Sequence, residues 1–261
     1  MPPPLRRTLG AFALDVLLAL ALFVALSLLG GIVWGVARTA QLALDGRLSG
    51  DPQAITAALG QPGVLATIGI TVLGVGGTAV AMWALRARRF DPVGALQARA
   101  GRRAGSTWMW VLATGGAVYL ASTGLSLLAQ RLHLPLQPSN QALIEASLGR
   151  NPLLLFVFAV VLAPMYEELL FRRVFFARLW QAGQPLLGTA LSAALFALMH
   201  ELPGVGGKPL AGTLVLWLAY GFMGLAFAWV YRRTGTLWAA VAAHALNNAL
   251  ALILGLAFGG Q

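Results

Sequence analysis

The chain contains no cysteine and carries little charge. Asp, Glu, Lys and Arg make up 10% of its 261 residues, whereas 59% of the residues are hydrophobic. The absence of cysteine excludes disulfides, thiolate metal sites and a cysteine nucleophile. The scarcity of charge excludes an ordinary soluble domain and is typical of a polytopic membrane protein. Because the hydrophobic residues are spread over the whole length, we expect a single integral membrane domain over residues 1–261.

Apolar runs of roughly 20 residues, the length that crosses a ~30 Å hydrocarbon core, recur along the chain. We therefore predict an all-α polytopic transmembrane bundle of about seven spans, one of which can be re-entrant or interfacial. A surface helix over 53–59 is predicted in the first polar loop, and 130–151 is expected to be a polar loop. The predicted spans are 11–37, 63–85, 107–129, one that begins at 152, 185–200, 209–231 and 236–258.

Acidic residues are few, with 8 Asp and Glu against 18 Lys and Arg, and the net charge is +10. The arginines cluster in short loops between apolar runs, where they set topology. We therefore expect no nucleic-acid partner, and we expect the basic loop 86–106 to contact anionic lipid. Asp15, near the start of the first run, is expected to be interfacial and receives no predicted role.

The distribution of basic residues predicts a cytoplasmic N-terminus, because cytoplasmic loops carry an excess of Lys and Arg. In that orientation thirteen of the 18 basic residues face the cytoplasm and five face the other side. The thirteen are Arg6, Arg7, Arg86, Arg88, Arg89, Arg99, Arg102, Arg103, Arg172, Arg173, Arg178, Arg232 and Arg233, and the five are Arg38, Arg47, Arg131, Arg150 and Lys208.

Two adjacent carboxylates, Glu167 and Glu168, lie well inside the fourth apolar run. A charge near the bilayer centre costs about 2.5–3.5 kcal/mol on insertion scales, so an ionisable residue there indicates a functional site. Glu168 and Arg172 are four residues apart and can pair on one helical face. Glu167 lies about 100° away around the helix and is free for chemistry. The alternative is that both carboxylates form a solvated helix end, since several arginines follow them.

Two of the three histidines fall in apolar runs. His200 ends the fifth predicted span, and His244 lies in the seventh. His244 and Asn248 share a helical face, whereas Asn247 points away from it and is a weaker candidate. The third, His133, lies in a polar loop and is expected to be a surface residue.

These residue types suit the hydrolysis of a peptide bond inside the membrane. Such a reaction needs a base that activates water and donors that stabilise the oxyanion. Glu167 can be the base, His200 can share the water, and His244 with Asn248 can supply donors. Two histidines and a glutamate are also a zinc-hydrolase ligand set, although the helical H-E-x-x-H signature is absent. The cofactor is therefore either a divalent metal such as zinc, held by Glu167, His200 and His244, or none.

Three motifs in order, each in a predicted membrane helix, resemble the CPBP family of intramembrane proteases. That family includes CAAX prenyl endopeptidases and Abi-like bacteriocin-processing or immunity proteins, and some members are described as metalloproteases. The resemblance covers about residues 150–255, which we expect to form the protease core. Arg173 is a departure, since the family commonly has glycine there. The motifs are Glu167-Glu168-Leu-Leu-Phe-Arg172, Phe196-x-x-x-His200 and His244-x-x-x-Asn248.

The resemblance implies a membrane-embedded endopeptidase whose polar catalytic cavity lies within the bilayer. It implies peptide or protein substrates in or at the membrane, and the compact size favours a bacterial plasma membrane. The alternatives are a scaffold or immunity protein that binds a peptide without cutting it, and a transporter that uses a Glu/His relay. The residues that the resemblance assigns are Glu167 and His200 for water activation, His244 and Asn248 for the oxyanion, and Glu168 and Arg172 for support.

One geometric difficulty follows from the predicted spans. At about 1.5 Å per residue, Glu167 lies about 22 Å from the outer end of the fourth span, and His200 lies about 22 Å from the inner end of the fifth. Straight spans would place the two side chains at different depths. A shared site therefore requires tilted or offset helices.

Overall fold

Every regular element among the described residues is a helix, which confirms the all-α prediction. A computed structural model describes residues 4–48, 50–87, 98–101, 103–204 and 208–258. The helices that shape the molecule are α1 (Leu5–Leu44), α2 (Pro52–Leu59), α3 (Val64–Ala87), α4 (Gly105–Arg131), α5 (Gln141–Leu148), α6 (Pro152–Gln181), α7 (Pro185–His200), α8 (Leu210–Thr234) and α9 (Leu237–Phe258).

In the described part of the chain, 6 helices are long and apolar enough to cross a membrane, namely α1, α3, α4, α6, α8 and α9. The fifth predicted span is the apolar helix α7, which has only 16 residues. The prediction of about seven spans, one of which can be re-entrant or interfacial, is therefore roughly right: six described helices have full length, and α7 is the shorter one. The length and apolar composition of these helices make the chain an integral membrane protein. Arg88, Arg89 and Arg102 of the predicted basic loop lie outside the described residues.

The polar loops contain short helices. The predicted surface helix is present as α2, and Asp51 caps it by accepting hydrogen bonds from the backbone N–H groups of Gln53 at 3.1 Å and Ala54 at 3.3 Å. Such a cap satisfies donors that a helix start leaves unpaired. The loop predicted over 130–151 contains α5, which the sequence analysis did not predict. His133 is exposed, as predicted.

Helices α6 and α7 form a hairpin that brings Glu167 and His200 to one level. Helix α6 continues to Gln181, and after a turn in which Gly183 has φ 80°, α7 begins at Pro185. Glu167 is thus 14 residues before the turn and His200 is 15 residues after it, or about 21 and 22 Å along the two helices. The extension of α6 beyond the arginines removes the predicted difference in depth.

The hairpin is joined to the rest of the bundle by close packing and buried polar contacts. The Ser192 hydroxyl donates to the Phe171 carbonyl at 2.8 Å and ties the two arms together. Gly224 of α8 packs directly on Ala193 of α7, where a Cβ at Gly224 would lie 2.7 Å from the Ala193 Cα. Small residues at such a crossing let membrane helices approach closely.

The prediction that Asp15 is an interfacial residue with no role is wrong. Its side chain is fully buried and forms ion pairs with Arg86 of α3 and Arg178 of α6. A carboxylate buried among apolar helices is stable only when it is paired. Asp15 therefore holds the same end of three long helices together. No sequence pattern indicated these ion pairs, because the partners lie in distant segments.

Candidate functional site

Glu167 and Glu168 lie in the middle of α6, on a short α-helical stretch between two π-helical ones. The α-helical stretch is Ala163–Glu168, and the π-helical stretches are Val157–Leu162 and Leu169–Phe176. Pro164 has no N–H and cannot continue the backbone hydrogen-bond ladder. Such local π-helical geometry inside an α-helix is frequent at functional sites, since it changes the direction of neighbouring side chains.

Glu168 is fully buried and has two partners. One carboxylate oxygen lies 2.9 Å from the Nε of Arg172, and the other lies 3.0 Å from the Nδ1 of His244. The contact with Arg172 has the i, i+4 spacing that the sequence indicates. The contact with His244 joins α6 to α9. Glu168 therefore links a buried arginine to a histidine of the candidate site.

Arg172 is also fully buried, and aromatic rings surround its guanidinium. The guanidinium carbon lies 4.9 Å from the ring centre of Phe196, 5.8 Å from that of Phe227 and 5.9 Å from that of Phe171. A cation over an aromatic face is stabilised by the ring quadrupole, more so when it is desolvated. The rings and Glu168 together hold this charge inside the bundle.

Glu167 faces both histidines. Its Oε2 lies 3.7 Å from the Nε2 of His200 and 3.9 Å from the Nε2 of His244. These distances are too long for direct hydrogen bonds, and one water molecule can contact both sides of such a gap. The Oε2 is buried and has no hydrogen-bond partner among the described residues. Glu167, His200 and His244, which are far apart in sequence, are thus brought together around one carboxylate oxygen.

His200 is oriented by its own helix and by two rings. Its Nδ1 lies 2.8 Å from the Phe196 carbonyl, so Nδ1 carries a proton and donates it. In the neutral imidazole the Nε2 then presents a lone pair toward Glu167. The imidazole lies between the rings of Phe196, at 4.3 Å, and Tyr220, at 4.4 Å.

Asn248 contacts α6 about two turns before Glu167. Its Nδ2 donates to the carbonyl of Ala159 at 2.8 Å, and its Oδ1 accepts from the Nδ2 of Asn247 at 2.9 Å. In the π-helical register, the Ala159 carbonyl would pair with the N–H of residue 164, which proline lacks. Asn248 therefore satisfies a carbonyl that Pro164 leaves unpaired. Asn247, the weaker candidate by sequence, is buried and orients Asn248.

The donor set of Glu167, His200 and His244 is chemically that of a zinc hydrolase, but its atoms lie farther apart than the ligand atoms of a bound zinc ion. No group of three or more His, Cys, Asp or Glu in the described part of the chain is arranged to hold one. Ligand atoms of a tetrahedral zinc site lie about 3.3 Å apart, given bonds of about 2.0–2.1 Å. The separations from the Glu167 Oε2 are 3.7 and 3.9 Å. We therefore assign no step to a metal.

A cavity of about 220 Å³ lies beside this polar cluster and is lined by α1, α3, α6 and α7. Leu170 and Met199, which are close in sequence to Glu168 and His200, belong to its lining. Its wall is apolar apart from Thr78, and the catalytic candidates are not part of it. The candidate catalytic residues thus form a polar cluster beside an apolar cavity.

Sequence reasoning missed an aromatic stripe on α8. Tyr220 stacks on His200, and Phe227 lies against His244 with ring centres 4.7 Å apart and planes at 18°. The sequence does carry a signal for this stripe, since the spacing of three and four residues places its members on one helical face. Its aromatic members are Trp217, Tyr220, Phe227 and Tyr231, and Gly224 lies between them on the same face.

A second polar network that the sequence analysis missed lies directly after His200. The Glu201 carboxylate is buried and accepts from the Ser139 backbone N–H at 2.6 Å and from the Ser139 hydroxyl at 2.9 Å. Lys208 donates to the same carboxylate at 2.7 Å, and the Trp217 indole donates to the Glu201 carbonyl at 2.8 Å. The end of α7 is thereby fixed to α8 and to the loop before α5.

Comparison with known proteins identifies the region that carries these residues. Residues 149–250 match the family model described as Rce1-like, type II CAAX prenyl endopeptidase. A stretch of 116 residues is 27% identical to the "Putative membrane peptidase YdiL" of Bacillus subtilis (strain 168). This stretch is 44% of the chain and 42% of that relative, so the chain spans less than half of the relative's length. No solved structure matches.

Proposed function

We propose that the chain is an intramembrane endopeptidase, because residues 149–250 match the family model described as Rce1-like, type II CAAX prenyl endopeptidase. It would hydrolyse peptide bonds of peptides or proteins in or at the membrane. The observation that carries the proposal is the buried Oε2 of Glu167, which has no hydrogen-bond partner among the described residues and faces two histidines. A buried carboxylate oxygen without a partner is costly, and a site for a reacting water explains it.

In the proposed reaction a water molecule lies between Glu167 and His200. The carboxylate of Glu167 takes a proton from this water while the water oxygen attacks the carbonyl carbon of the scissile bond. The tetrahedral intermediate then collapses as the C–N bond breaks. Protonated Glu167 returns its proton to the leaving nitrogen, which gives a free amine and a new carboxyl group.

The oxyanion is proposed to be stabilised by His244 and Asn248. His244 uses its Nδ1–H toward Glu168, so its Nε2 donates only in the imidazolium form. The proposed role of His244 therefore requires its imidazolium form. Asn248 uses one Nδ2 hydrogen for Ala159, and its second hydrogen is available to the oxyanion.

Glu168 and Arg172 are proposed to be positioning residues rather than groups that touch the substrate. The carboxylate of Glu168 fixes the orientation of His244, and Arg172 fixes Glu168. A carboxylate behind a catalytic histidine holds the ring and stabilises its protonated form. The proposed steps use only side chains of the protein. In the competing mechanism, Glu167, His200 and His244 would instead hold a divalent metal.

The proposed environment follows the sequence expectations. The N-terminus is proposed to face the cytoplasm of a bacterial cell, with the chain in the plasma membrane. The proposed partners are a membrane peptide or protein and the lipid bilayer, and we propose no nucleic-acid partner.

The test is cleavage of a peptide library by detergent-purified protein, with and without a chelator, alongside Glu167→Gln. Glu145→Gln, at an exposed position of helix α5, is the matched control and should cleave like the wild type. Loss of cleavage in Glu167→Gln, with no effect of the chelator, is the expected result. Loss in both cases, restored by added zinc, would assign Glu167 and the histidines to a metal instead.

Two outcomes would overturn the proposal. Peptide binding without product, unchanged by Glu167→Gln, would indicate a binding scaffold or immunity protein. Proton uptake in proteoliposomes that requires Glu167, with no peptide product, would indicate a transporter.

A further inference from the structure

The basic residues beside Asp15 and the apolar cavity lie next to each other along three helices. On α1, Asp15 directly precedes Val16, which lines the cavity. On α6, Arg178 is three residues from the lining residue Phe175, so both lie on one face. On α3, Arg86 and the lining residue Thr78 are eight residues apart, which also keeps them on one face.

This arrangement gives the cavity a charged end. Asp15 neutralises only one of the two arginines that contact it, so the cluster has a net charge of +1. Each contact with Asp15 uses the Nε of the arginine, and the Arg86 and Arg178 side chains remain 35% and 27% exposed. The terminal amino groups of a guanidinium form a fork that suits a phosphate.

The cavity is open to the surrounding lipid. Three residues at its rim, Leu20 of α1, Leu198 of α7 and Leu202 just after α7, are 56%, 39% and 57% exposed. The wall behind them is formed by apolar side chains and Thr78, whose hydroxyl donates to the Gly74 carbonyl and is thereby satisfied. A chain of methylene groups can enter such a cavity from the side without losing a hydrogen bond.

We propose that this cavity and its two arginines bind one anionic phospholipid. An acyl chain would occupy the cavity between α1, α3, α6 and α7, and the phosphate would contact Arg86 and Arg178. The charge of the cluster selects an anionic headgroup over a zwitterionic one, and the apolar wall selects a lipid over free phosphate. The proposal does not depend on protease activity, since the candidate catalytic residues do not line the cavity.

The test measures which lipids remain on the purified protein by native mass spectrometry, after exchange into mixed micelles of phosphatidylglycerol and phosphatidylcholine with matched chains. The single variants Arg86→Gln and Arg178→Gln each leave Asp15 one arginine partner, so the buried carboxylate stays paired. Each is expected to weaken phosphatidylglycerol binding about fivefold, as one basic group near the membrane surface does. Ala19→Leu narrows the cavity and is expected to reduce retention of either lipid.

Arg232→Gln, an exposed arginine at the end of α8, is the matched control and should retain lipid like the wild type. Equal retention of the two lipids by the wild type would overturn the proposal, as would unchanged retention in both arginine variants. Full displacement by inorganic phosphate would indicate an anion site without a lipid chain. Displacement by a cleavable peptide, with no effect of the arginine variants, would assign the cavity to the substrate.

Discussion

The Nδ1 of His244 lies 3.0 Å from the Oε1 of Glu168, and both side chains are almost fully buried. The other nitrogen of the imidazole faces Glu167 at 3.9 Å. Two neighbouring glutamates of one helix therefore contact opposite edges of one histidine from another helix. One edge is fixed by Glu168, and the other is directed toward the proposed reaction.

We predict that Glu168→Gln lowers kcat about 100- to 1,000-fold with little change in KM, since loss of the His244 imidazolium removes one oxyanion donor. The glutamine can still accept from Nδ1, but it cannot stabilise the imidazolium. The measurement is steady-state cleavage by correctly folded protein, and Glu145→Gln is the control. An unchanged kcat with a lower melting temperature would mean that Glu168 only stabilises the fold, by pairing with Arg172.

The sequence indicated this site better than it indicated the surroundings of the site. Glu167, His200 and His244 were identifiable because charged and polar residues are rare in apolar runs and because their spacing resembles a protease family. That these side chains meet at one carboxylate oxygen could not be predicted from the sequence, since it depends on where α6 ends. The sequence predicted where that span begins but not where it ends, and the helix continues to Gln181. Its full length places Glu167 level with His200.

The missed contacts share a physical reason. Asp15 pairs with residues of α3 and α6, and Glu201 pairs with Ser139 and Lys208. Ion pairs between distant segments leave no periodic pattern in the sequence. A charged residue near the end of an apolar run resembles an ordinary interfacial residue until its partners are known.

We predict that Asn248→Ala separates two roles of this amide. Loss of its bond to Ala159 should lower the melting temperature, because the carbonyl beside Pro164 loses its partner. Loss of an oxyanion donor should also lower kcat by about 100-fold. Asn247→Ala, which removes only the orienting contact, should have a smaller effect on kcat. A lower melting temperature for Asn248→Ala with unchanged kcat would assign the residue to the helix alone.

We predict that Lys208→Met destabilises the protein and that Glu201→Gln added to it restores part of the loss. Lys208 is the only lysine in the chain, and it pairs with a carboxylate that is 1% exposed. Removing one partner of a buried pair costs about 3–5 kcal/mol, and the partial exposure of Lys208 favours the lower end of this range. Thermal unfolding in detergent measures both variants. Additive losses would contradict the pairing, since coupled residues deviate from additivity.

The last prediction concerns the crossing of α7 and α8, on which the position of His200 depends. Gly224→Ala should destabilise the protein by about 1–3 kcal/mol, because overpacking a close contact forces helices apart. The new Cβ would lie 2.7 Å from the Cα and 2.9 Å from the Cβ of Ala193. Both helices would have to shift, and with them the stacking of Tyr220 on His200.

Gly221→Ala is the matched control, one turn earlier on the same helix. No atom lies within 4 Å of a Cβ built at Gly221, and alanine favours a helix interior over glycine by about 1 kcal/mol. We therefore expect Gly221→Ala to leave stability and cleavage unchanged or slightly improved, whereas Gly224→Ala lowers both. The unfolding temperature and kcat of the two variants are the measurements that test this expectation. Equal behaviour of the two variants would mean that α7 and α8 do not cross at Gly224, and the position of His200 against Glu167 would then lose its structural basis.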